Sequence, residues 1–177
     1  ETLYSEVGHL DFFGISNKAI VEPIDAFNTL SAKPSKVKAL DSMEFAKIMT
    51  DGGGLCSYGQ TLVKNYVDET AIAEAATGNL ATGLLSSGFD LKQAKYVGVI
   101  VEANKKVWEQ IPAASIGYAM NEVKQLCSSP DGVFFGTYET ESKDDGVKVY
   151  SIFSGLGLPE NRVVQLKKEV FDSEAAA

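Results

Sequence analysis

The chain has 177 residues, 45% hydrophobic and 23% charged, a globular composition that excludes disordered, collagen-like and low-complexity classes. At this length one core can bury roughly two-thirds of the unfolded surface, so a single domain is expected without disulfides or metal. With 16 Lys and Arg against 24 Asp and Glu the formal charge is −8, which argues against membrane-surface or direct nucleic-acid binding.

The chain starts at Glu1 rather than methionine, and so reads as processed or cut from something longer. Residues 10–15 predict a short strand, 17–20 a turn into helix, and 22–30 one or two helical turns. The basic, proline-containing stretch Ser31-Ala-Lys-Pro-Ser-Lys-Val-Lys38 reads as a linker. Asp41 is placed to N-cap a helix through Met49, with Phe45, Ile48 and Met49 on one face and Asp51-Gly-Gly-Gly54 as its stop. Residues 55–63 predict a strand. Residues 69–80 predict a helix carrying Ile72, Ala75, Ala76 and Leu80 at helical spacing.

Val97-Gly-Val-Ile-Val101 is an unbroken apolar run of the kind found in central strands covered on both faces. Pro112 suits a helix's first turn, and Ile116, Ala119, Met120, Val123, Leu126 and Cys127 form the apolar stripe of the helix after it. Residues 132–140 and 147–153, joined by the polar stretch 141–146, predict an antiparallel hairpin. A last helix from Pro159 should turn Val163, Leu166 and Val170 inward. The implied fold class is α+β, a mixed sheet of about four strands with helices packed on it.

Few residues qualify for chemistry. Cys56 and Cys127 have no CxxC spacing and read as buried small hydrophobes, in keeping with a reduced, cytoplasmic protein; no apolar run is long enough to span a membrane. His9 is the one histidine, which disfavours both a transition-metal site and a histidine-based triad. The glycines 52–54 end a helix instead of opening one, so they do not form a phosphate loop. Lys33, Lys36 and Lys38 read as a solvated linker, and Trp108, Phe134, Phe135, Tyr138 and Phe153 sit on or beside strands, the phenylalanines as core. Asp41-Ser-Met-Glu44 has two readings. It is a capping box, or it projects two carboxylates that orient a water attacking a phosphoryl group.

Ala39-Leu40-Asp41-Ser42-Met43-Glu44-Phe45 resembles the Asn-x-Asp-x-x-Asp/Glu catalytic loop of the tubulin/FtsZ superfamily, with FtsZ and the plasmid and phage TubZ group nearest. The likeness continues through the Gly-rich lead Thr50-Asp-Gly-Gly-Gly-Leu-Cys-Ser-Tyr-Gly59 and the Ala-rich Ala71-Ile-Ala-Glu-Ala-Ala76. It then takes in Leu84-Leu-Ser-Ser87, Asp90-Leu-Lys-Gln-Ala-Lys-Tyr-Val-Gly-Val-Ile100 and Gly155-Leu156-Gly157. The exit Leu158-Pro159 is more like the plasmid type.

The resemblance implies that residues 39–157 are the C-terminal, or activation, domain, that 1–38 are a remnant of the nucleotide domain and linking helix, and that 158–177 are a C-terminal helix and tail. In that family GTP and its Mg sit in an N-terminal domain, and the catalytic loop docks on the GTP of the next subunit. Asp41 and Glu44 match the two acidic positions that act on the water. The implied partners are further copies of the chain in a longitudinal homopolymer, with an adaptor at the tail. Cell division, plasmid segregation and phage positioning are equally compatible biological roles.

Three features depart from the pattern. Ala39 stands where Asn is expected, and the signature Gly-Gly-Gly-Thr-Gly-Ser-Gly is absent from the 177 residues, so the chain alone should neither bind GTP tightly nor hydrolyse it. Phe13-Gly-Ile-Ser-Asn17 looks like the strand-and-turn whose Asn contacts guanine. Yet 17–41 is too short to hold the whole linking helix as well, so either that helix lacks its middle or the match at Asn17 is accidental. Two other function classes stay open: a stand-alone α+β module binding a small molecule or protein, and a relative that polymerises without hydrolysing.

Overall fold

The structure, a computed structural model, describes residues 12–81, 88–127 and 132–175. His9, the start of the expected 10–15 strand and the 84–87 segment lie outside them, as do the side chains of Leu80 and Val170.

The apolar run 97–101 lies in strand β2 (Tyr96–Ala103), which is covered on both faces as its composition requires. Val97, Val99 and Val101 point to one side, and Gly98 and Ile100 to the other. The other strands are β1 (Leu55–Val63), β3 (Val133–Glu139) and β4 (Val147–Leu156), in the spatial order β1-β4-β2-β3. Only the β2–β3 pairing is parallel. The result is the expected mixed four-stranded sheet.

Helices α1 (Phe12–Leu30) and α2 (Ser42–Thr50) cover one face, where Phe27, Leu30, Leu40 and Ile48 meet Ile100, Tyr138 and Ile152. Helices α3 (Ala71–Ala81) and α5 (Ser115–Leu126) cover the other, joined by the short α4 (Lys105–Trp108) and its buried Trp108. On α3, Ile72, Ala75 and Ala76 are buried; on α5, Ile116, Ala119 and Val123 are, as the sequence stripes require.

Four expectations change. Residues 12–15 and the supposed turn at 17–20 are helix, because α1 runs without a break from Phe12 to Leu30. Pro23, Ala26, Phe27 and Leu30 give that helix one buried face at helical spacing, which outweighs the strand-like 12–15 run. Strands β3 and β4 do not form a hairpin. β4 is buried on both sides and slots between β1 and β2, while β3 follows the α4–α5 crossover and pairs parallel to β2. The link between them passes the end of β2, where the Asn104 side chain donates to the Asp144 carbonyl at 3.0 Å.

Helix α6 (Glu160–Ala175) does not bury Leu166, which is 44% exposed, and Phe171 is 74% exposed. Both sheet faces are already covered, so its apolar residues have no sheet surface left to meet. Finally, Cys127 is buried but Cys56 is exposed, at the irregular start of edge strand β1. Pro112 lies in the turn before α5, its carbonyl accepting from the Ser115 N–H at 3.1 Å.

Gly98 lets α1 and α2 approach the sheet closely. A Cβ there would stand 2.7 Å from both Ile48 Cδ1 and Phe27 Cε1. Gly98→Ala should therefore lower stability by about 1–3 kcal/mol, measured by urea denaturation.

Candidate functional site

The segment leading to Asp41 is fixed against the outer edge of β3, and is not a free linker. Lys36 N–H donates to the Thr137 carbonyl at 2.7 Å, and Thr137 N–H to the Lys38 carbonyl at 2.8 Å. The Lys36 ammonium pairs with Glu139 at 2.7 Å, so this lysine is already engaged. Leu40 is fully buried, and the chain emerges from it into solvent at Asp41.

At that point the capping box forms in full. The Asp41 Oδ1 atom accepts from the Glu44 N–H at 2.7 Å, and Glu44 Oε2 accepts from the Asp41 N–H at 3.0 Å. Each carboxylate thereby spends one oxygen on its own helix. The second oxygens, Asp41 Oδ2 and Glu44 Oε1, have no hydrogen-bond partner among the described residues. The capping reading and the water-orienting reading therefore do not compete for the same atoms. The helix ends at Asp51, and Gly53 and Gly54 take positive φ of 62° and 63° to turn the chain into β1.

The helix start opens onto a surface depression of about 620 Å³, lined by Asp41, Met43, Glu44, Ala46, Lys47, Thr50, Asp51 and Phe134. Met43 is 80% exposed. The Lys47 ammonium lies over the Tyr96 ring, 5.4 Å from its centre, and Tyr96 stacks on Phe134. Among the described residues, one cation, three carboxylates and exposed apolar surface thus share this open face. Lys47 and Phe134 were not among the candidate site residues; their only sequence signal was helical spacing from Glu44 and a place on a strand.

Asn17 lies exposed on α1, not in a strand-and-turn, and the structure does not bring it to Asp41. α1 runs unbroken from Phe12 to Leu30, so Asn17 lies within the helix and not ahead of it. Among the described residues no group of three His, Cys, Asp or Glu side chains is placed to hold a metal, and no helix is long and apolar enough to cross a membrane.

The profile of the family described as "Tubulin/FtsZ-like protein TubZ-like, C-terminal domain" matches residues 26–167, most of the chain. The chain belongs to this family. The TubZ-like match begins within α1 and ends within α6, so it spans the sheet, both helical layers and the Asp41 loop.

Solved structures agree on the fold. The TubZ protofilament of Bacillus thuringiensis serovar israelensis in its GTPγS form superposes with a TM-score of 0.75 at 12% identity, covering 97% of this chain and 43% of that one. CetZ2 from Haloferax volcanii, a GTPγS-bound protofilament, gives 0.68 at 14%, covering 96% and 48%. An FtsZ dimer from M. jannaschii gives 0.67 at 16%, covering 86% and 42%. The TubZ-like chain thus spans less than half the length of each of these proteins, and at such identities the likeness is one of fold. No curated protein sequence matches it.

Proposed function

We propose that this C-terminal domain supplies Asp41 and Glu44 in trans to the GTP of the next subunit in a homopolymeric filament. The observation that carries the reading is the open helix start, where each carboxylate is held by a backbone amide and keeps one oxygen without a hydrogen-bond partner among the described residues. Phosphoryl transfer to water needs positioning and electrostatics more than covalent chemistry, and two fixed carboxylates can hold a water in line. The nucleotide supplies the phosphoryl group and brings its Mg; this chain holds neither, having no glycine signature of its own.

Catalysis in trans of this kind requires a head-to-tail polarity. Contacts of that head-to-tail kind build open filaments when the rotation does not close a ring. Residues 1–38 then belong with the nucleotide domain and its linking helix, and α6, where Leu166 and Phe171 are exposed, is with the tail where an adaptor would bind. Ala39, exposed beside Leu40, offers no side-chain contact to the nucleotide where the family pattern has Asn.

Phosphate release and pelleting, measured together across a concentration series of the full-length protein with GTP, test the reading. Release per molecule should be near zero below a critical concentration and rise with polymer above it. A rate per molecule that is independent of concentration would refute catalysis between subunits.

A further inference from the structure

Three of the last four residues before Asp41, namely Val37, Lys38 and Leu40, are held by side chains far away in the sequence. The Tyr138 hydroxyl donates to the Leu40 carbonyl at 2.7 Å and accepts from the Leu40 N–H at 3.0 Å, across 98 residues. Beside it, Thr137 Oγ1 accepts from the N–H groups of Val37 and Lys38, each at 2.8 Å. Tyr138, Thr137 and Leu40 are all fully buried.

Nearby groups hold this arrangement in turn. Trp108 Nε1 donates to the Tyr138 carbonyl at 3.0 Å, which fixes the strand at that residue. Gly136 makes room for the phenol: a Cβ there would lie 2.5 Å from Tyr138 Cε2, 2.9 Å from its oxygen and 3.0 Å from Leu40 Cβ. Burial, and the charges of Glu44 and Asp41 behind it, push the Tyr138 phenol above its ordinary range despite the opposing bond to Leu40. It therefore keeps its proton and remains a donor at any pH where the protein works.

Capping alone does not require any of this. Asp41 and Glu44 cap each other wherever their loop sits, but to act on a neighbour's triphosphate they need a fixed direction relative to the sheet. We propose that Gly136-Thr137-Tyr138 is the seat that sets this direction, with Tyr138 and Thr137 as positioning residues for the two carboxylates. This rests on the catalytic role of Asp41 and Glu44 proposed above. A misplacement of about 1 Å can cost on the order of 10²-fold in rate, so loss of the seat should show in turnover before it shows in assembly.

The test uses the full-length protein with four changes, Tyr138→Phe, Thr137→Val, Thr137→Ser and Glu44→Ala. For each, GTP affinity, critical concentration for pelleting and phosphate release per pelleted subunit are measured. Y138F and T137V should lower release per pelleted subunit about tenfold or more while affinity and critical concentration stay within about twofold. T137S, which keeps the hydroxyl, should restore it. Should Y138F not fold, the contrast between T137V and T137S decides.

Wild-type release per pelleted subunit in Y138F and T137V, with E44A inactive, overturns the seat and leaves the carboxylates' role standing. Wild-type release in E44A overturns the catalytic reading itself. A fall in assembly with unchanged release per pelleted subunit makes these residues merely structural, and also overturns the proposal.

Discussion

Full-length protein carrying Asp41→Asn or Glu44→Gln is expected to form GTP-dependent filaments that persist, while phosphate release falls by about 10²-fold or more. The amide substitutions decide more than alanine would. Asn is as good an N-cap as Asp, and Gln serves at the third position of a capping box as well as Glu. Both variants therefore keep the reciprocal bonds between Asp41 and Glu44, each of which uses one oxygen per side chain. What they remove is the negative charge and the second acceptor oxygen, which becomes an NH2 donor. If the pair only caps α2, both variants should turn over GTP like the wild type and melt at the same temperature. If the pair orients a water, turnover collapses with stability unchanged. Alanine at either position mixes the two effects, since losing the cap costs about 1 kcal/mol by itself.

Local patterns in the sequence gave away the parts that local physics decides. The capping box, the helix stop at Asp51-Gly-Gly-Gly54 and the α5 stripe are set by neighbours within a turn or two, and each formed as expected. The double-sided burial of β2 was legible because an unbroken Val/Ile run has no polar face to leave in water. Strand order was not. Nothing in 141–146 says that β4 will pass the end of β2 and pair on its far side, because the partners lie elsewhere in the chain. The stretch 12–15 misled because a short apolar run fits strand and helix equally, and only the later positions Ala26, Phe27 and Leu30 show the period. Tyr138 was read only as an aromatic on or beside a strand. Its hydroxyl partner is set by a loop 98 residues away, although Gly136 within a strand was a usable sign of close approach there.

Phe27→Ala should be the most destabilising single change in the α1 layer, at about 3–5 kcal/mol, read from the urea midpoint of this chain. That is a large share of the roughly 5–15 kcal/mol that holds a domain folded. Phe27 has no exposed surface, stacks on Phe45 with ring centres 5.6 Å apart, and lies over Gly98. Phe171→Ala, on the exposed α6, should stay within about 0.5 kcal/mol.

The pair Phe27→Ala and Gly98→Ala carries a sharper expectation. The methyl added at Gly98 clashes with Phe27 Cε1 on one side and Ile48 Cδ1 on the other. Removing the Phe27 ring relieves the first clash and leaves the second, so the double variant should be more stable than the two single effects predict by about 0.5–1.5 kcal/mol. Strict additivity would mean that α1 does not lie on the sheet at Gly98. The helix that carries Asn17 and leads into the 31–40 segment would then be free to move against the strands that hold Asp41, and a fixed catalytic geometry would lose its base.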